Sequence, residues 1–181
     1  MNFRQSVRQA SDQGFTLIES IVIVIIVGIL AAIAGPNLQR LLVQQDLRTA
    51  NDEAYQAMLK AKMQASAERR PMVVAFRTQS GVPQLSVYPA STAVSAIPWS
   101  NFLSGNNRAN QLEINSSTTL RLSNGIYLLN YDYRGNVSGQ LGRFVLSSKA
   151  ITGANAPRSC VVVTSLLGSL RSASDQDCSS S

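Results

Sequence analysis

The apolar positions of this chain fall into three regimes. From Ile21 to Ala34 every residue is apolar or glycine, and no charge lies between Glu19 and Arg40. Phe15 to Gly35 makes 21 residues, about 31 Å as a helix and enough to cross a hydrocarbon core. After Pro36 the pattern turns two-sided. Leu47, Ala50, Ala54, Ala57, Met58, Ala61 and Ala65 recur at spacings of three and four, while Gln44, Arg48, Asp52, Gln56, Lys60 and Gln64 occupy mostly other angles. Such a stripe buries one side of a helix and leaves the other wet. Pro71 pushes Arg70 out of helical space, so one helix of about 55 residues is predicted.

Beyond Pro71 the period changes again. Met72–Thr78 and Leu85–Tyr88 read as strands around the turn-rich Ser80-Gly81-Val82-Pro83. Ala90 to Asn110 reads as a long loop, with Trp99 packing it onto the rest. Further strands are predicted at Leu112–Ile114, Thr118–Leu122, Ile126–Tyr131, Arg143–Ser147 and Cys160–Thr164. Asn124-Gly125 and Arg134-Gly135-Asn136 mark turns between them. The expectation is an α+β chain whose helix spans a membrane in its first half and packs, over 37–70, on an antiparallel β-sheet head at 71–181.

Composition narrows the chemistry. The chain has no histidine and two cysteines, which removes Ser-His-Asp and Cys-His constellations and a structural zinc site. Asp132, Asp175 and Asp177 sit in turn-like contexts; the last two could touch Ca²⁺ but read as solvated loop charges. No enzyme activity, metal, cofactor or small-molecule substrate is expected. Cys160 and Cys178 follow an export-type N-terminus and are expected to pair, closing a loop worth roughly 3 kcal/mol. A net charge of +6 favours acidic partners, lipid headgroups or nucleic acid, although no basic run exceeds Arg69-Arg70.

The N-terminus is more specific. Met1 to Gly14 is polar, with Arg4 and Arg8 holding it on the cytoplasmic side. Its small-residue junction, Gly14-Phe15, precedes the apolar run, whereas a secretory signal is cut after one. Glu19 then sits at the edge of a membrane helix, where an acid costs up to about 2.5–3.5 kcal/mol. Two readings stand: a carboxylate paired with the α-amino group freed at Phe15 by cleavage after Gly14, within or between subunits, or an interfacial glutamate that snorkels to water.

Gly14-Phe15-Thr16-Leu17-Ile18-Glu19 with its apolar run resembles the class III signal of type IV pilins and type II secretion pseudopilins. The resemblance implies the type IV pilin fold and a 1–14 leader removed by prepilin peptidase after Gly14. It also implies N-methylation of Phe15 and a polymerisation helix over 15–36 whose Glu19 meets a neighbouring subunit's Phe15 amine. Gly28 and Pro36 fall at the family's helix-weakening positions. The C-terminal stretches YDYRGNVSGQLGRFVLSS and RSCVVVTSLLGSLRS resemble the GspH/FimT group of minor pilins and pseudopilins. What this implies is a structural subunit, single-pass in the inner membrane with its head in the periplasm or outside. It would then join other pilins in a pilus or pseudopilus, in priming or at the tip. The alternative is a minor pilin that binds DNA for uptake. Some members contact phosphates through Gly-Arg-x-Arg, but Gly168-Ser169-Leu170-Arg171 lacks the first arginine, leaving Arg158 and Arg171 as candidate contacts.

Overall fold

The computed structural model describes residues 16–105, 108–153 and 156–178, with the side chains of 33–37 set apart from that description. Helix α1 runs from Leu17 to Glu68. It passes through Gly28 and Pro36 without a break and stops two residues before the expected end. Arg69 adopts a left-handed φ of 51°, and Pro71 forbids continuation. The chain divides into two compact units between Arg40 and Leu41.

In the second unit the predicted stripe is the buried face. Leu47, Ala50, Ala54, Met58, Ala61 and Ala65 are at most 1% exposed, whereas Gln44, Arg48, Asp52, Gln56 and Lys60 are open to solvent. The alanines leave room for close approach, and the bulk of the core comes from the sheets. Strands β1 (Met72–Gln79), β2 (Val82–Pro89), β3 (Ser100–Asn101), β5 (Arg121–Ser123) and β6 (Ile126–Tyr131) form one antiparallel sheet in the order β3-β2-β1-β6-β5. Strands β4 (Leu112–Ile114), β7 (Arg143–Ser148), β8 (Arg158–Val163) and β9 (Leu170–Ser174) form a second, in the order β4-β7-β8-β9.

One hydrophobic core joins these layers. Phe76 of β1 and Phe144 of β7 stack with ring centroids 3.9 Å apart, and Phe102 lies 6.2 and 6.0 Å from them. All three are fully buried. Each such ring contributes about 1.5–3 kcal/mol by leaving water. The outer face of β1 is covered by the 90–99 loop: Ile97 and Trp99 pack on Val73, Ala75 and Tyr88. The Arg77 guanidinium sits 4.0 Å above the Trp99 ring, so the tryptophan pins the loop, as its surroundings in the sequence predict.

One strand prediction shifts, and two strands are additional: β3, inside the expected Ala90–Asn110 loop, and β9. The expected strand over Thr118–Leu122 is only partly one, since β5 begins at Arg121. Thr118 is buried instead; its hydroxyl donates to Val145 O at 3.3 Å and accepts from Val145 N at 3.0 Å. A side chain thus takes the place of a ladder partner beside β7. Strand β9 was not foreseen. Its sequence, LRSAS, is polar, and it is fixed from outside itself: by five residue pairs with β8, by the 2.7 Å bond from Asn51 Nδ2 to Ser172 Oγ, and by the neighbouring disulfide.

Candidate functional site

The cleavage and methylation positions, Gly14 and Phe15, lie outside the described residues. Immediately after them Thr16 caps α1. Its hydroxyl accepts the Glu19 N–H at 3.3 Å, and its carbonyl accepts the Ser20 N–H at 3.2 Å. This satisfies donors that a helix start leaves orphaned. Thr16 thus fixes the helix start on which Glu19 sits. The Thr-x-x-Glu spacing of a capping box was the signal available for it.

Glu19 occupies the first turn, where a negative charge suits the helix dipole, and it is exposed. Around and beyond it lies an apolar sleeve. Leu17, Ile18, Val24 and Leu30 are 61–79% exposed, and every residue from Thr16 to Ala32 is open. A surface of this kind calls for lipid or protein cover. Among the described residues no helix is long and apolar enough to cross a membrane; of the expected 15–36 span, Phe15 and the side chains of 33–36 lie outside the described residues. The described part of the sleeve ends at Ala32, about 22 Å from Leu17 at helical rise, against roughly 30 Å of hydrocarbon. At Gly28 a side chain would meet nothing within 4 Å, so no packing demand in the isolated chain explains this glycine.

In the head, Cys160 and Cys178 are joined, with Cα atoms 5.8 Å apart. The bridge is fully buried against Val145, and it ties the last described turn to β8. Among the described residues no group of three or more acidic, cysteine or histidine side chains could hold a metal ion.

The arginines expected to flank a phosphate are less close than hoped. Arg171 pairs with Val162, so it shares a face of the four-stranded sheet with Arg158. The two are four positions apart along the ladder, about 13 Å. The residue in register with Arg171 across Val162 is Arg143. Register is non-local, and nothing in the sequence near Arg143 announces it. Arg143 is partly committed already, its Nε donating to Ser117 O at 3.2 Å. Arg158 is held by Asp175, whose carboxylate accepts the Arg158 N–H at 3.2 Å.

Comparison with known proteins agrees with the geometry. The prokaryotic N-terminal methylation motif matches residues 9–35. The crystal structure of the type IV minor pilin FimU of Pseudomonas aeruginosa superposes with a TM-score of 0.51 at 16% identity, covering 74% of this chain and 96% of that one. The chain thus carries the N-terminal methylation motif, and its fold is similar to that of the minor pilin FimU. No curated protein matches the chain in sequence at a significant level.

Proposed function

We propose that this chain is a structural subunit, a minor pilin or pseudopilin of the GspH/FimT kind, working by polymerisation with no catalytic site. Prepilin peptidase would remove residues 1–14 and the Phe15 amine would be methylated. Before assembly the apolar sleeve would rest in the inner membrane as a single pass, with the head on the periplasmic side or outside. The observation that carries this reading is a capped helix start bearing Glu19 at the mouth of a fully exposed apolar sleeve. An incoming Phe15 amine would neutralise a neighbour's Glu19 in low dielectric, so that only the correct axial register loses no charge stabilisation. The subunit would serve in priming or at the tip.

The decisive experiment is mass spectrometry of the mature N-terminus. The expected species begins at Phe15 and carries one extra methyl group, and Gly14→Ala should block its formation. Working filaments built from chains that keep residues 1–14 would defeat the reading. Gly28 to Pro36 would be the extensible part of the subunit. Gly28→Ala adds about 1 kcal/mol of helix propensity, so filaments carrying it should stretch less under load in force spectroscopy.

A second reading, DNA capture, is favoured by the common face of Arg143, Arg158 and Arg171. Steeply salt-dependent binding of duplex DNA, lost in Arg158→Ala/Arg171→Ala, is its expected sign. Absence of binding at low salt would end it.

A further inference from the structure

The charges of the head are not shared evenly between its ends. Where α1 stops, Lys60, Lys62, Arg69, Arg70 and Arg134 meet two carboxylates, Glu68 and Asp132. Around the start of α1 within the head, Asp46 pairs with Arg108 at 3.4 Å and Asp175 shares one hollow with Arg48 and Arg158. The basic end is assembled by topology. Met72 pairs with Tyr131, so the α1–β1 joint and the 132–136 turn continue side by side. A Cβ on Gly135 would lie 3.0 Å from Lys62 O, and Lys62 Nζ donates to Gly168 O at 3.2 Å. The turn and the 164–168 loop are therefore drawn onto the last turns of the helix.

Both carboxylates at this end are spent locally. Glu68 pairs with Arg70. Asp132 accepts the N–H groups of Arg134 and Asn136 at 2.8 and 2.9 Å, and these bonds hold its carboxyl below the ordinary carboxylate range. Arg69 and Arg134 remain exposed and make no close ion pair among the described residues, although the Arg134 charge also helps to lower the Asp132 pKa. Beside Arg134 in the turn stands Tyr133, 49% exposed, with the Arg134 guanidinium 5.1 Å from its ring centroid. Leu166 and Leu167, 57% and 69% exposed, border the same turn, since Leu166 O accepts the Val137 N–H at 2.7 Å.

We propose that this end of the head binds single-stranded nucleic acid. It rests on the nucleic-acid reading above and moves the contact away from Arg158 and Arg171. Arg69 and Arg134 supply guanidinium forks for phosphates. Tyr133, backed by Arg134, offers a platform on which one base stacks, and the two leucines give apolar contact to its neighbours. A duplex keeps its bases stacked on each other and leaves such a platform unused, which is why a single strand fits better.

The test is fluorescence anisotropy of a labelled oligo-dT with the full chain in a non-ionic detergent, across a salt series. Binding should weaken with salt. Arg69→Ala/Arg134→Ala should lower the log–log salt slope by about 1.4, two phosphate contacts on a single strand. Tyr133→Ser should weaken binding about tenfold, and Tyr133→Phe should restore it. Melting curves of the variants should match the parent's, because all three side chains are exposed. Retained binding in Arg69→Ala/Arg134→Ala with loss in Arg158→Ala/Arg171→Ala overturns this site and leaves the nucleic-acid reading intact. No binding at low salt overturns both. Duplex bound as tightly as the single strand, or capture of anionic vesicles but not oligo-dT, also overturns it.

Discussion

A half-buried carboxylate that accepts a backbone proton is pulled in two directions. Burial raises the pKa of Glu53, and the Leu103 N–H, donating to its carboxylate at 3.0 Å, lowers it by less. The net direction is upward, so the folded head holds this proton more tightly than the unfolded chain does. Its contribution to stability is therefore greatest below the ordinary glutamate value and falls as pH rises through the folded pKa. Glu53→Gln keeps an oxygen for Leu103 and removes the charge. Its thermal midpoint should equal or exceed the parent's at pH 7, and the decline just above pH 4.5 should be lost. Glu53→Ala orphans the Leu103 N–H and should melt lower at every pH. A Gln variant as weak as the Ala variant would show that charge, and not the acceptor, holds the 102–105 segment.

At the scale of elements, α1 and β9 are opposite cases. The buried stripe of α1 was legible because its apolar spacing repeats every turn, and no distant residue is needed to choose the face. Ala61, fully buried, faces the sheets; Ala61→Leu should cost about 1–3 kcal/mol by overpacking. Lys60→Ala, one position away on the wet face, should stay within about 0.5 kcal/mol in urea unfolding. Strand β9 was illegible because nothing in LRSAS is apolar enough to name a buried side. Pairing with β8 and the Cys160–Cys178 bridge decide its place. The same non-locality hid the Arg143–Val162–Arg171 row and the placing of the 132–136 turn beside the α1–β1 joint. The bridge closes a loop with a sequence separation of 18, so Cys160→Ser/Cys178→Ser should lower unfolding free energy by roughly 3 kcal/mol. Reduction of the parent protein should produce the same fall in urea midpoint.

For the whole molecule, the two units answer to different surroundings. The head has a closed core of aromatic stacks and alanine-lined helix, complete in one chain. The sleeve from Leu17 to Ala32 has no such closure, and its exposed apolar surface calls for lipid or protein cover. The N-terminal signal made this half legible in kind, because an acid beside an unbroken apolar run is costly to keep without a partner. Its geometry was beyond reach, since the partner would come from another copy. Glu19→Leu separates the two halves of the account. The substitution leaves Gly14-Phe15 intact and makes the helix more apolar, so the variant should still be inserted and should still start at methylated Phe15 by mass spectrometry. Filament yield in the sheared fraction should nevertheless drop to a small part of the parent's, because an incoming amine would find no counter-charge in the sleeve. Normal yield from the leucine variant would mean that apolar packing alone sets the register, and the carboxylate would then be no more than an interfacial residue reaching for water.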